Sequence, residues 1–386
     1  MGDVQVIEAR TTETVAAWAR YPRQTIYSTA DSWVPPLDRD LIRVLDRRRN
    51  PFFRYGDAVA LLAVDGRGAY VGRALAHVYN RHNARHLERA AFFGYFECSN
   101  DGCVASALIE AASEFGARSE CTVLRGPFNM TAMQEMGILV DGFGETPAVD
   151  QTYTAAYYPA LLEGAGLRPT FPHSTYVVDD LSSVDPDAML TDRHWQLIRD
   201  CRLQVRPADL DNWAREIETL RELLNDSFYD NPHFVSITRD EFHFQVDPYR
   251  RLMDPEISLV MEVGGVPCGF VIAVPDFNVL LKQFGGRVSP RSLLTFVRGR
   301  SNIRDACLIV MGVQRQLQGA GVMRVLTSEL IRALRRRNYQ RLFVTWVADA
   351  NLRSIATVKA ICGRPLHRLT LYEMPLAHRS ASSAGS

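Results

Sequence analysis

The sequence predicts a mixed α/β protein made of two successive units of the same kind. Three observations carry this expectation. The order hairpin, strand, helix, strand occurs twice along the 386 residues. In the second half an apolar strand runs into a glycine loop and then directly into a helix. Hydrophobic residues make up 47% of the chain and charged residues 23%, the balance of a soluble globular protein, at a length that suits two ordinary domains.

The elements follow in order. Residues 1–50 are polar, arginine-rich and interrupted by proline. Ala58 to Val64, an Asp65-Gly66 turn and Ala69 to His77 form a hairpin pattern. Ala90 to Glu97 reads as a third strand, Val104 to Phe115 has helical apolar spacing, and Cys121 to Leu124 reads as a strand. A polar, proline-bearing stretch at about 164–174 is expected to link the halves. The order then repeats: Ile257 to Val263, a Gly264-Gly265 turn, and Cys268 to Val274. Cys307 to Val313 follows, then an amphipathic helix Val322 to Arg335, a strand Arg341 to Val347 and a helix Asn351 to Ile361. The expected boundaries are 1–165 and 170–379, with a Ser/Ala/Gly tail at 380–386 expected to be disordered.

Bulk chemistry excludes several roles. Forty-four basic residues balance 44 acidic ones, so no global field draws the chain to nucleic acid. Seven scattered cysteines without a C-x-x-C pair argue against a disulfide framework and for a reducing compartment. The N-terminus has no signal-peptide pattern, and no apolar run approaches the roughly 18–20 residues that span a bilayer. A cytoplasmic location is expected. Asp46-Arg47-Arg48-Arg49 reads as a solvated charged face, with lipid head groups at the inner membrane as the alternative. His82 and His86 stand four apart but lack the neighbouring Glu and third ligand of a zinc site, so no metal is expected.

The most informative segment is Leu308-Ile309-Val310-Met311-Gly312-Val313-Gln314-Arg315-Gln316-Leu317-Gln318-Gly319-Ala320-Gly321. Glycines two apart let a backbone approach an anion with no Cβ between them. The N–H groups and positive end of the following helix then suit a pyrophosphate. The matching loop of the first half, Glu97 to Cys103, keeps one glycine and carries Glu97 and Asp101, which would repel a phosphate.

Gln316-x-x-Gly319-x-Gly321 resembles the Q/R-x-x-G-x-G/A signature of the GNAT acyltransferase superfamily, and the element order resembles its fold. The whole chain is similar to a group of bacterial tandem-GNAT proteins, one branch of which is the bacterial ceramide synthases. The similarity runs through Asn50-Pro51-Phe52-Phe53, Gly94-Tyr95-Phe96-Glu97, Arg125-Gly126-Pro127-Phe128-Asn129, Pro275-Asp276-Phe277-Asn278 and Thr345 to Asn351. The resemblance implies two tandem GNAT-like domains, the first with a degenerate cofactor loop. It implies acyl-CoA as co-substrate with no permanently bound cofactor, and an amine acceptor. The CoA contacts it implies are Met311, Gly312, Val313, Gln316, Gln318, Gly319, Ala320, Gly321 and Asn351.

Acyl transfer to an amine needs a neutral amine, a polarised thioester carbonyl and a protonated leaving thiolate. Backbone N–H groups around Met311 to Val313 are placed to polarise the carbonyl. Asp349, at a strand end, is the first candidate base; its plainer reading is a charge at the start of the next helix. Asp276 and Asn278 come next, although polar residues at a turn usually serve the turn. Many GNAT enzymes carry an acidic tyrosine seven residues on from the position of Asn351, where this chain has Val358. Tyr372 is the substitute, against a core role. The expected activity is N-acylation, with a long-chain acyl group and a sphingoid base in view. Acetylation of a small polar amine and a non-catalytic acyl-CoA sensor are the alternatives.

Overall fold

The computed structural model describes residues 4–131 and 134–376, so the expected tail at 380–386 lies outside the described residues. The strands in chain order are β1 (Gln5–Glu8), β2 (Gly56–Val64), β3 (Tyr70–Tyr79), β4 (Ala90–Cys98), β5 (Val123–Gly126), β6 (Ile138–Asp141), β7 (Arg168–Val178), β8 (Leu203–Pro207), β9 (Leu259–Val263), β10 (Val266–Pro275), β11 (Asp305–Val313), β12 (Arg341–Ala348) and β13 (Arg364–Pro375). The helices are α1 (Thr12–Tyr21), α2 (Asp38–Val44), α3 (Asn80–His86), α4 (Gly102–Arg118), α5 (Tyr158–Gly164), α6 (Asp192–Asp200), α7 (Trp213–Ser227), α8 (Arg239–Val246), α9 (Asn278–Phe284), α10 (Pro290–Gly299), α11 (Val322–Arg336) and α12 (Leu352–Ala360).

All the strands join one mixed sheet in the order β1-β2-β3-β4-β5-β13-β7-β12-β11-β10-β9-β8, with β6 also on β13. The duplication is visible in the pairing. Hairpin β2–β3 leads to β4, which runs parallel to β5; hairpin β9–β10 leads to β11, which runs parallel to β12. The helices that follow β4 and β11, α4 and α11, bury the same kind of apolar stripe: Val104, Leu108, Ile109 and Ala112 in one, Val322, Val325, Leu326 and Leu330 in the other.

Two differences from the sequence reading have physical causes. The stretch at 164–174 is no linker; most of it belongs to β7, which pairs with both β12 and β13. Pro169 and Pro172 hid it, yet both lie beyond Ala348↔His173, where β12 pairing has ended and only β13 remains as partner. Residues 1–50, polar, arginine-rich and interrupted by proline, contain α1 and α2. The Trp18 ring of α1 is fully buried and its Nε1 donates to the Ala74 carbonyl at 2.9 Å.

Strand β13 ties the halves together. It starts on β7 and ends on β5, pairing Tyr372 with Gly126 and Met374 with Leu124. The chain's last strand therefore completes the sheet of its first half. Helices α4, α5 and α11 cover one face of the sheet, with the cores around Leu108 and Leu326. Helices α1, α7 and α8 cover the other, with the cores around Leu62, Phe92 and Phe270.

Candidate active site

The glycine joint has the geometry its sequence asks for. Gly319 and Gly321 sit at φ +81° and +94°, a left-handed backbone that side chains disfavour. Gly321 caps α11, a helix of 15 residues. The N–H groups of Gly319, Gly321, Val322 and Met323 have no backbone partner among the described residues. A Cβ on Gly319 would meet open space, whereas one on Gly321 would press on the His194 ring at 3.0 Å. Gln318 donates to the Ser227 carbonyl at 3.0 Å, and the exposed Gln316 donates to Gln314 at 3.2 Å. Arg315 is taken up by Asp226 and Asp230, at 3.5 Å from each, which offsets their charge next to the loop.

Beside this joint the sheet opens. Parallel pairing of β11 with β12 runs from Asp305↔Arg341 to Leu308↔Val344 and stops. Strand β11 continues along β10 to Val313, while β12 turns to β7. Ile309 is skipped in the β10 register, Ile272 pairing with Val310 and Ala273 with Leu308, so β11 bulges at the point where the gap begins. The Thr345 hydroxyl donates to the Ile309 carbonyl at 2.7 Å. Met311, Gly312 and Val313 thus form one edge of a wedge, with the glycine loop at its mouth. An extended thioester arm along this edge would find unpaired backbone groups, and the dipoles there suit a developing oxyanion.

Asp276 and Asn278 do something the sequence did not suggest. Asp276 is buried, and its carboxylate accepts from the N–H groups of Val149 at 2.9 Å and Asn278 at 3.2 Å. Burial raises its pKa to about 6 against those hydrogen bonds. Asn278 donates from Nδ2 to the Pro147 carbonyl at 2.7 Å. The pair clamps residues 147–151 of the first half onto the second, which makes them anchors of a loop in this structure. Cys307 of β11 donates to the Val149 carbonyl at 3.4 Å, and Gln151 donates to the Val344 carbonyl of β12 at 3.0 Å. The loop therefore crosses beneath the start of the wedge.

Between the two pinned residues stands Asp150, at φ +64° and open to solvent. Its carboxylate has no hydrogen bond or ion pair with any described residue. The protein around it still removes enough water to push its pKa up to about 7. Glu135 is likewise solvent-accessible and pushed up to about 7, by burial first and then by the charge of Asp150. No motif in the sequence marks Asp150; a lone Asp in a loop carries no periodicity or spacing to read.

The remaining expected residues scatter. Asp349 follows the end of β12, where Ser174 donates to it at 3.4 Å and Arg368 lies 3.6 Å away. Asn351 caps α12 by accepting from Ser354 at 3.1 Å. Strand β13 carries Tyr372 into the core of the first half, 1% exposed, with its hydroxyl 3.4 Å from Glu163 and its pKa pushed up to about 12 by burial. Val358 packs in the core of the second half. His82 and His86 do share helix α3, with rings 4.5 Å apart, and His82 also faces His233 at 6.0 Å. Among the described residues no group of His, Cys, Asp or Glu is arranged to hold a metal.

In the first half the equivalent wedge is filled. Phe128 donates its N–H to Phe93 at 2.7 Å, the Asn129 side chain accepts from Tyr95 at 2.7 Å, and a Cβ on Gly94 would strike the Phe128 carbonyl at 1.8 Å. Asp101 caps α4, and Glu97 is buried, accepting from the hydroxyls of Tyr27 at 2.8 Å and Tyr158 at 2.6 Å.

A splayed parallel strand pair with a bulge, a glycine joint and a helix start thus lie together in the second half. Residues 217–363 match the Acetyltransferase (GNAT) family. The chain is an acyltransferase with a tandem GNAT fold. It is 26% identical to Protein YghO of Escherichia coli K12 over 92% of each chain. It is 24% identical to the bacterial ceramide synthase of Caulobacter vibrioides, over 97% of this chain and 98% of that one. Among solved structures, a tandem GNAT protein from the clavulanic acid biosynthesis pathway aligns over 97% of this chain and 99% of its own, with a TM-score of 0.57 at 14% identity. A GCN5-related N-acetyltransferase from Sphaerobacter thermophilus aligns over 96% of each, with a TM-score of 0.54 at 12% identity.

Proposed function

We propose that the protein moves an acyl group from one acyl-CoA per chain to an amine. The pyrophosphate lies on Gln316 to Gly321, and the thioester lies in the wedge at Met311 to Val313. The observation that carries this reading is the end of β11–β12 pairing at Leu308 and Val344, directly beside two left-handed glycines at a helix start. The first half binds no CoA, because its own residues 128–129 occupy the corresponding gap.

The acceptor in this reading is an amphipathic amine, and the donor a long-chain acyl-CoA. Support comes from likeness to the ceramide synthase and from an aromatic pocket on the α7–α8 face. That pocket is lined by Phe52, Phe92, Phe128, Phe234 and Phe244, with His82 and His233 at its wall. One observation favours acetylation of a small amine instead: the pocket has only about 40 Å³ of free space, room for about three water molecules at most. A long chain requires it to widen.

An acyl series run from acetyl-CoA to donors of roughly 14 to 18 carbons, with a long-chain amino alcohol as acceptor, separates the readings. Each buried methylene contributes about 0.8 kcal/mol at best, so the expected preference of at least about tenfold for the long donor needs only about 1.4 kcal/mol. Faster turnover with acetyl-CoA removes the long-chain reading.

A further inference from the structure

We propose that Asp150, supplied by the first half of the chain, is the general base that takes a proton from the acceptor amine at the thioester held by the second half. The proposal rests on the acyl-CoA reading above and adds the residue that makes the amine reactive.

The geometry is specific. Four hydrogen bonds fix the loop at the start of the wedge: Val149 to Asp276, Asn278 to Pro147, Cys307 to Val149 and Gln151 to Val344. They pin the residues on either side of Asp150 and leave its own carboxylate unpartnered and open to solvent. Its backbone is left-handed at φ +64°, a conformation that Asp tolerates better than most side chains. Ala148 and Val149 pack with Ile217 and Phe270 on the α7 face of the sheet, opposite the face that α11 covers. Asp349 does not share this position, being engaged with Ser174 and Arg368.

The charged and titratable groups around Asp150 come from both halves. Glu135 faces it from the segment before β6, with Glu97 and Arg73 behind. Tyr249 faces it from beyond α8, with Asp40 and Arg43 of α2 behind. Cys307 and Asp276 lie on the strand side. Desolvation lifts the Asp150 carboxyl to about 7, which matches a base to a working pH near neutrality.

The reaction balances. The carboxylate takes one proton from the ammonium, the nitrogen lone pair forms the C–N bond to the acyl carbon, and the C–S bond breaks. The remaining excess N–H proton leaves with the CoA sulfur. The products are an amide and CoA thiol, and Asp150 returns its proton to water.

The test combines calorimetry of CoA binding with pH profiles of kcat/KM, using the donor and amine that turn over best in the acyl series. Asp150→Asn keeps a residue type that tolerates the left-handed backbone. It is expected to bind CoA unchanged, lose about 10²–10³-fold in kcat/KM and flatten the acid limb. Glu135→Gln removes a neighbouring negative charge and is expected to move that limb to lower pH, since the two carboxyls titrate together. An unimpaired Asp150→Asn with CoA still bound overturns the base assignment alone, as does an acid limb that disappears in Asp349→Asn instead. Absence of CoA binding by the unaltered protein overturns the acyl-CoA reading and this proposal with it.

Discussion

Gly319 and Gly321 take the same left-handed backbone for different reasons. Nothing crowds Gly319, so a side chain there costs only the left-handed strain, about 1–2 kcal/mol. We predict that Gly319→Glu abolishes CoA binding in calorimetry while the protein stays folded; unchanged affinity would remove the phosphate loop from the site. Gly102 is the contrast. It too has open space, but its helix start is capped by Asp101 and its wedge is filled. Gly102→Glu is expected to leave one CoA per chain at unaltered affinity, and two equivalent sites in the unmodified protein would refute the asymmetry. The motif residues were legible in the sequence because local backbone conformation alone demands glycine. Asp150 was not legible, because what makes it unusual comes from bonds to residues far away in the chain.

Among the elements, the turn after β10 and the loop at 147–151 form one unit. Asp276 and Asn278 looked in the sequence like candidates for chemistry or for a turn, and the structure makes them the clamp of that loop. Asn278→Ala removes the donor to Pro147 and is expected to cost about 1 kcal/mol of stability. Turnover should fall several-fold, with CoA affinity and the acid limb of the pH profile in place, because a position is loosened and no proton carrier is lost. Disappearance of the acid limb in this variant would show that Asn278 takes part in the chemistry. Strand β7 carries the same lesson. Its prolines look like a linker until two other strands are brought beside it, and only then does the tolerance of positions 169 and 172 follow.

At the scale of the molecule, β13 makes the halves interdependent. Because Tyr372 to Pro375 pair with β5, unfolding the second half strips a strand from the first. A single calorimetric transition coincident by far-UV and near-UV dichroism is expected, and two resolved transitions would contradict the shared strand. The raised carboxylates give the molecule a stability signature. Asp150 and Glu135 rise from 3.8 and 4.5 to about 7 on folding, so the folded state holds their protons more tightly than the unfolded chain. Their favourable contribution is full below pH ~4 and is lost as pH rises through ~7. Glu135→Gln should therefore raise Tm more at pH 8 than at pH 5, and an equal gain at both would refute the raised pKa.

The sequence by itself determined the parts whose cause is local. The alternation that makes strands, the apolar stripe of α11, the glycines of the loop before it and the duplicated order of elements all follow from residues a few positions apart. It also carried the family resemblance, since Gln316, Gly319 and Gly321 lie within six residues. The tertiary structure decided which half reaches into the other. Tyr372 went to the first core, Asp276 and Asn278 became a clamp, and a bare Asp in a loop arrived beneath the wedge. Those outcomes depend on hydrogen bonds between residues more than a hundred positions apart, such as Val149 with Asp276 and Gln151 with Val344. Bonds of that kind leave no periodicity in the chain, because their geometry exists only once both halves have folded onto one sheet.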